Sequence, residues 1–286
     1  MQNTRGKMII RCWGARGSIP VSGKQYLRYG GDTTCLEVRN GSNDIIIVDA
    51  GSGIRELGNY LLAENQHTIN LLLTHVHWDH IMGFPFFKPI YARKTSINIW
   101  GCPVAQASLE EMVTGIMIPP NFPVDVSAIN AGISYHGTGV DSFQIGSMTI
   151  TPIALNHPNQ GNGYKFEEDG KCFVFLTDNE LGFRHRGGLE YQDYLQFVRG
   201  ADLLIHDAEY TEKEYEKTRG WGHSRYGEAL QLALDAGVKK LGLFHHNQER
   251  TDDAVDSMVE ACQKEIARQK TELECFAVSQ GAQLLL

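Results

Sequence analysis

The sequence predicts an α/β protein, because short apolar runs typical of strands alternate with longer segments typical of helices. The strand-type runs are rich in Ile, Leu and Val, and they cover residues 8–13, 35–40, 44–50, 69–75, 97–101, 147–156, 171–178, 201–207, 239–245 and 274–279. The helix-type segments cover residues 53–66, 106–117, 190–200, 224–237 and 252–270. No linker rich in Pro, Gly or Ser interrupts the chain, so a single domain over residues 1–286 is predicted.

Residue spacing and helix-ending residues support the individual helices. The first has apolar residues at helical intervals, at Ile54, Leu57, Leu61 and Leu62. The second stops at the Pro119-Pro120 pair, because proline does not continue a helix. The fourth ends at Gly237, where glycine is the usual residue after a helix C-terminus.

Composition and charge limit the function classes. The chain has 26 basic and 34 acidic residues and a formal net charge of −8, which argues against a broad nucleic-acid-binding face. A small anionic substrate is not excluded, because bound cations can reverse the local field. Six scattered cysteines without a Cys-x-x-Cys pair indicate reduced thiols. The N-terminal segment lacks the apolar core of a signal peptide, and no apolar run is long enough for a membrane span, so a cytoplasmic, soluble protein is expected.

Several predicted strands end directly in a polar residue of the kind that binds metals. Asp49, His75, Asp178 and His245 each follow an apolar run. Side chains at strand ends gather on one rim of a sheet, where binding sites tend to form. Residues that are far apart in the sequence are therefore expected to converge.

The segment THVHWDH, residues 74–80, carries the strongest signal in the chain. It offers His75, His77, Asp79 and His80 within six positions, and an extended backbone sends the first two histidines to the same side. Imidazole nitrogens and carboxylate oxygens suit zinc, and also iron or manganese. Two cations need further ligands, and His157, Asp178 and the adjacent pair His245 and His246 follow other predicted strands.

This ordered set resembles the metallo-β-lactamase superfamily over nearly the whole chain. The resemblance implies a four-layer αββα sandwich that holds two divalent metal ions, with Zn²⁺ expected and Mn²⁺ or Fe²⁺ left open. It implies a first metal held by His75, His77 and His157, and a second held by Asp79, His80 and His245, with Asp178 as the bridge. His245 is preferred over His246 because it directly ends a strand, and His246 is left either to face substrate or to pack.

The same resemblance implies hydrolysis by a hydroxide that bridges the two metals, with Asp79 in the catalytic machinery. An Asp at position 178 is typical of the phosphodiesterase-like, ribonuclease-like and glyoxalase-like branches, whereas zinc β-lactamases commonly have Cys there. The stretch WGHSRYGEAL resembles a segment of tRNA 3′-processing ribonucleases and cyclic phosphodiesterases. In those enzymes its histidine lies at the scissile phosphate, so His223 is the candidate acid for the leaving oxygen. The alternative is that His223 only caps the following helix.

Other segments resemble the bacterial phosphoribosyl cyclic phosphodiesterase-like group. They are GARGSIP, YGGDTTCLEV, DAGSG and LLIHDAEYTEKE. Asp49 is expected to support the histidine ligands by hydrogen bonding rather than to bind metal. His206 and Asp207 are expected to have supporting or structural roles.

The predicted substrate is a small cyclic or nucleotide-type phosphodiester. The tRNA-processing relatives usually insert a long arm between the third motif and the bridging Asp, but here His157 and Asp178 are 21 positions apart and an acidic hairpin is expected between them. Nucleic acid is therefore predicted to be an unlikely partner, and a homodimer is left open. Phe122, in the proline-stiffened loop 116–126, is a weaker candidate for substrate contact. The alternative functions are a glyoxalase II-like thioesterase or lactonase, an RNA-processing nuclease and a non-enzymatic binding protein.

Overall fold

The computed structural model describes residues 7–102, 109–120 and 122–286, and it contains two seven-stranded sheets that pack face to face. The first sheet has the strand order β14-β1-β2-β3-β4-β5-β6. Its strands are β1 Ile9–Gly14, β2 Cys35–Arg39, β3 Ile45–Val48, β4 Thr68–Leu72, β5 Ser96–Gly101, β6 Gly132–Gly137 and β14 Gln283–Leu285. Neighbouring strands from β3 to β6 are parallel, and the other pairs in this sheet are antiparallel.

The second sheet has the strand order β13-β12-β11-β10-β9-β8-β7. Its strands are β7 Phe143–Ile145, β8 Met148–Ala154, β9 Asn162–Glu168, β10 Lys171–Leu176, β11 Leu203–Asp207, β12 Lys240–Phe244 and β13 Glu274–Ala277. Strands β10 to β13 run parallel to one another. Strand β9 is antiparallel to both β8 and β10, so β8 and β10 point the same way.

Helices cover the outer faces of both sheets. They are α1 Ile54–Ala63, α2 Trp78–Ile81, α3 Leu109–Thr114, α4 Tyr191–Val198, α5 Glu212–Thr218, α6 Tyr226–Asp235 and α7 Asp252–Gln269. Buried side chains of α1, α2 and α3 pack on the first sheet, and those of α4, α6 and α7 pack on the second. The layers therefore follow the order helix, sheet, sheet, helix, which confirms the four-layer αββα fold.

The alternation of side chains along a strand explains why so many strands are apolar on both faces. In β3, Ile46 and Val48 lie in the core between the sheets, whereas Ile45 and Ile47 lie in the core under α1. Successive side chains of a strand point to opposite faces, so a strand with helices on one side and a sheet on the other is buried twice. Uninterrupted runs such as IIIV result from this double burial.

The strand directions place the polar residues that follow β4, β8, β10 and β12 at one end of the sandwich. Strands β10, β11 and β12 are parallel, and β8 points the same way, so their C-terminal ends lie at the same edge of the second sheet. In the first sheet, β3 and β4 are parallel and end together. This arrangement brings the predicted site residues of both sheets towards one place.

The strand-type runs of the sequence all contain strands in the structure, and the acidic hairpin expected after His157 is formed by β9 and β10. Strands β6, β7 and β14 and helices α2 and α5 were not predicted. They are short or carry little apolar signal; α5, for example, buries only Tyr215. Of the predicted helix 106–117, residues 106–108 lie outside the described part of the chain. Among the described residues, no helix is both long enough and apolar enough to cross a membrane.

Candidate metal centre

The first group of candidate ligands contains three histidines. His75 follows β4, His77 immediately precedes α2, and His157 follows β8 in the other sheet. One ring nitrogen from each lies within 4.8 Å of the others. The Nε2 atom of His157 is 2.9 Å from Nδ1 of His77, so two imidazole nitrogens face each other across the gap between the sheets.

The second group contains two carboxylates and two histidines. Asp79 and His80 come from the single turn of α2, Asp178 follows β10 and His245 follows β12. The Oδ2 atom of Asp79 is 3.1 Å from Nε2 of His245 and 3.3 Å from Nε2 of His80. These four side chains also offer ligand atoms within 4.8 Å of one another.

Asp178 lies between the two groups and contacts both. Its Oδ1 is 3.3 Å from His80 Nε2 and 3.5 Å from His245 Nε2. Its Oδ2 is 3.5 Å from His75 Nε2 and 3.7 Å from His157 Nε2. A carboxylate with one oxygen toward each group has the geometry that a bridging ligand needs.

Three residues of this region that lie within two positions of a strand end have a left-handed backbone. They are Asp49, Asp178 and His245, with φ angles of 64°, 55° and 56°. Side chains larger than glycine are uncommon in this conformation, and such residues cluster at functional sites. The surrounding contacts must therefore hold these three residues in place.

Hydrogen bonds orient the candidate ligands from behind. Asp49 Oδ2 is 2.8 Å from His80 Nδ1, and its other oxygen accepts the backbone amide of Thr74 at 2.7 Å. The Nδ1–H of His157 donates to the carbonyl of Gly222 at 2.9 Å. This agrees with the supporting role predicted for Asp49, because a histidine ligand is normally held by a bond to its other ring nitrogen.

Burial and charge divide the histidines into two classes. Burial lowers the pKa of His157 to about 3 and the pKa of His75 well below its usual range, so both are neutral imidazoles with a lone pair available. Burial also opposes the protonation of His80, but nearby carboxylates, above all Asp178, raise its pKa well above the usual range. The carboxylates of the second group therefore stabilise positive charge placed beside them.

Two buried nitrogens of the candidate ligands have no hydrogen-bond partner among the described residues. They are Nε2 of His75 and Nε2 of His80, one in each group. Buried polar atoms are almost always hydrogen-bonded, and an unpaired imidazole nitrogen beside a carboxylate suits a divalent cation. The donor set of five histidines and two aspartates thus fits metal binding, although the role of each residue as a ligand stays a prediction.

His223 lies beside both groups and is held by carboxylates. Its Nδ1 is 3.0 Å from Oδ2 of Asp207 and 3.4 Å from Oε2 of Glu209, and its ring stacks on His245 with 4.6 Å between centroids. Burial lowers the pKa of His223, but the charge of Glu209 and the bond to Asp207 outweigh it and raise the pKa to about 9. His223 is in the loop before α6 rather than in the helix, and its side chain contacts the centre.

The structure places the two weaker candidates differently. His246 Nε2–H donates to the carbonyl of Val278 at 2.8 Å, so this side chain is packed under the C-terminal segment and lies outside both groups. Phe122 packs edge-on against Phe86, with 5.6 Å between ring centroids, and joins the core under the first-sheet helices. These contacts support packing roles, and substrate contact by either residue stays untested.

Two buried carboxylates of the site were not singled out from the sequence. Glu209 lies 2.9 Å from Nδ1 of His245, and Glu180 accepts the backbone amides of Gly220 and Gly222. Glu209 is two positions beyond the Asp207 that was considered, and the segment LLIHDAEYTEKE was the only signal that pointed to it. Asp207 itself contacts His223, which gives its predicted supporting role a specific partner.

The chain is similar to a described family and to several named proteins. The model of a family described as "Beta-lactamase superfamily domain" matches residues 45–246. Ribonuclease Z of Sulfurisphaera tokodaii is 26% identical over 231 residues, which are 66% of this chain and 73% of the relative. Ribonuclease Z of Haloarcula marismortui is 23% identical over 307 residues, which are 91% of this chain and 93% of that protein.

A solved structure shows the same fold along almost the entire chain. The metallo-β-lactamase fold protein YhfI from Bacillus subtilis superposes with a TM-score of 0.72 and is 19% identical in sequence. The match covers 98% of this chain and 100% of that protein. At this level of identity the likeness concerns the fold.

The predicted partners are contradicted by these relatives. A small anionic substrate was expected and nucleic acid was considered unlikely, but the curated relatives are named for a ribonuclease activity. The physical reason is that a net charge of −8 describes the whole chain. It does not describe the field at a site where bound cations add positive charge.

Proposed function

The chain belongs to the β-lactamase superfamily, and from this premise we propose that it is a metal-dependent phosphodiesterase that cleaves RNA. The membership confirms the predicted family and the prediction of a hydrolase. The observation that carries the proposal is the His223–Asp207 pair beside two groups of candidate ligands, in a chain whose curated relatives are named ribonuclease Z.

The proposed ligand sets are those of the sequence analysis. His75, His77 and His157 would hold one divalent cation, Asp79, His80 and His245 would hold the other, and Asp178 would contact both. Zinc is the first choice because the first group supplies three imidazole ligands. Manganese or iron are also compatible, because the second group supplies carboxylates. When bound, two such cations lower the pKa of water and neutralise the charge of a phosphodiester.

His223 is proposed to give a proton to the leaving oxygen. Its Nδ1 is occupied by Asp207 at 3.0 Å, which leaves Nε2 as the atom that can donate to a substrate. The carboxylate of Asp207 holds the ring in one orientation and stabilises its charged form. A general acid in this position is worth about 10²- to 10⁴-fold in rate.

The hairpin between His157 and Asp178 bears on how RNA would be bound. Strands β9 and β10 pair along five residues and lie within the second sheet, so a long protruding arm is absent between these two residues. The RNA is therefore proposed to contact the rim of the centre itself.

The test uses purified protein loaded with Zn²⁺ or Mn²⁺ and a 5′-labelled structured RNA that carries a single-stranded 3′ extension. Site-specific cleavage is expected, together with its loss on dialysis against a chelator. Asp178→Ala protein prepared in parallel shows whether a contaminating ribonuclease is responsible. Hydrolysis of a thioester, a lactone or bis-p-nitrophenyl phosphate while the RNA stays intact would contradict the proposal.

A further inference from the structure

We propose that Trp78 and Trp221 form a nucleobase-binding subsite beside the metal centre, an inference that rests on the proposed RNA substrate. The side chain of Trp78 is 67% exposed and that of Trp221 is 63% exposed. The other two tryptophans, Trp13 and Trp100, are half-buried against neighbouring aromatic rings. An indole combines a large apolar surface with a polar N–H group, so two exposed tryptophans next to one site are candidates for contact with a ligand.

Trp78 is held by its neighbours in the sequence. It is the first residue of α2 and stands between His77 and Asp79, whose side chains both enter the site. Its backbone is therefore positioned by two candidate ligands while its indole faces solvent. A side chain anchored in this way lies at the rim of the first ligand group.

Trp221 approaches the same histidine pair from the second sheet. The carbonyl of the next residue, Gly222, accepts the Nδ1–H of His157 at 2.9 Å. The other ring nitrogen of His157 is 2.9 Å from His77, the residue before Trp78. Trp78 directly follows His77 in the sequence, and Trp221 directly precedes Gly222, which contacts His157, so both tryptophans neighbour the His77–His157 pair along the backbone.

The loop that carries Trp221 is anchored without help from the indole. Glu180 is fully buried and accepts the amides of Gly220 at 2.7 Å and Gly222 at 2.8 Å, as well as the hydroxyl of Tyr215 at 2.7 Å. Gly222 has a φ of 98°, and a Cβ there would lie 2.0 Å from the ring of His157. The backbone is therefore closely packed on the centre, and the exposed indole is presented from a rigid base.

A third aromatic residue and a cation extend this surface. The ring edge of Phe183 lies 3.9 Å from the position that a Cβ at Gly220 would take, and Phe183 is 39% exposed. The guanidinium carbon of Arg219 is 5.6 Å from the centre of the Phe183 ring. Aromatic faces combined with arginine are the surface that proteins use to bind single-stranded nucleic acid.

Stacking also suits the charge of the protein. The net charge of −8 describes the chain as a whole, which has no excess of basic residues for phosphate contacts. Stacking on an indole needs no positive charge, and it tolerates every base because each base has a π-face. We infer that the bases beside the cleaved phosphodiester pack against Trp78 and Trp221.

The experiment compares the holoenzyme with Trp78→Ala, Trp221→Ala and the corresponding Phe variants. Two RNA substrates of the same length are used, one with bases on both sides of the cleaved phosphodiester and one with abasic riboses at those positions. Each Ala variant is expected to raise KM about ten-fold or more on the base-bearing RNA, with KM on the abasic RNA nearly unchanged. The Phe variants should restore most of the affinity, and metal content should equal that of the wild type.

Binding is measured independently by tryptophan fluorescence with a phosphorothioate RNA that resists hydrolysis. Quenching is expected in the wild type and in Trp13→Phe, a control on the outer face of the first sheet, and it should weaken in both Ala variants. An unchanged KM on base-bearing RNA, or an equal rise on abasic RNA, would overturn the subsite. If the wild type cleaves no RNA, the proposed function fails, and the fluorescence titration then decides whether the subsite exists. Quenching that depends on both indoles supports the subsite, and an absence of quenching rejects it.

Discussion

The two sheets contribute to the centre in different ways. The first sheet supplies its residues from one continuous segment, His75–His80, and supports them with one buried carboxylate, Asp49. The second sheet supplies its residues from separate strand ends and loops; they are His157, Asp178, His223 and His245. Three buried carboxylates support them, namely Glu180, Asp207 and Glu209.

This difference assigns metal binding and proton transfer to different halves of the centre. In the first-sheet segment, every residue of the centre is a proposed metal ligand. The hydrogen bonds of Asp49 behind this segment fix the orientation of its rings. The second-sheet half adds His223, which is proposed as an acid rather than as a ligand, and surrounds it with carboxylates. Burying a carboxylate destabilises a fold unless the carboxylate is paired. The accumulation of buried carboxylates in the second-sheet half therefore indicates that proton transfer takes place in that half.

The largest expected effect is at Asp178, the carboxylate that has one oxygen toward each group. Asp178→Ala should remove the bridge, and bound metal should fall from two ions per chain towards none, measured by inductively coupled plasma mass spectrometry. Activity should fall by about 10³-fold or more, because loss of the cations forfeits several kcal/mol of charge stabilisation. Asp253→Ala on the exposed face of α7 is the control and should keep both metal and activity. Retention of two ions by Asp178→Ala would mean that the halves do not share this ligand.

The next effect separates ligand binding from proton transfer. His223→Ala should lower kcat about 10²- to 10⁴-fold while both metal ions stay bound. His67→Ala is a matched control, because His67 precedes β4 at the end opposite to His75 and its side chain hydrogen-bonds to Asn65 and Thr95. If His223→Ala loses metal in proportion to activity, the second-sheet half would be a ligand set like the first.

A paired substitution sharpens the comparison of the supporting carboxylates. Asp49→Asn and Glu209→Gln each weaken the hold on one histidine of the second group, and either should lower metal affinity about 10- to 100-fold. Only Glu209 also faces His223, at 3.4 Å, so only Glu209→Gln should lower kcat further at saturating metal. Titration with a competing chelator gives the affinities, and kinetics at saturating Mn²⁺ give the remaining difference. Equal kcat values for the two variants would show that the halves do not differ in this respect.

The contrast also explains how much the sequence could predict. The fold class and the first-sheet segment were predictable because strand and ligand signals there are contiguous. His157 and Asp178 were predictable from their places after strands, since parallel strands end at one edge. Glu180 and Glu209 were not, because a single acidic residue in a sequence carries no sign of the backbone amides or histidines that it will meet. The left-handed backbone of Asp178 and His245 was equally hidden, since it results from contacts between the sheets.

The smallest expected effect concerns the loop that joins the second-sheet half to the rim. Glu180→Gln keeps the shape of the side chain but replaces one accepting oxygen by an amino group, so it leaves one of the amides of Gly220 and Gly222 without an acceptor. An unpaired buried donor costs about 1–3 kcal/mol, which is enough to loosen the carbonyl of Gly222 that orients His157. We expect kcat/KM to fall about ten-fold, with a Tm lowered by a few degrees. Glu216→Gln on the exposed face of α5 is the matched control and should change neither quantity. A Glu180 variant with a lowered Tm and an unchanged kcat/KM would assign this carboxylate to folding alone, and would leave His157 oriented by the cations rather than by the loop.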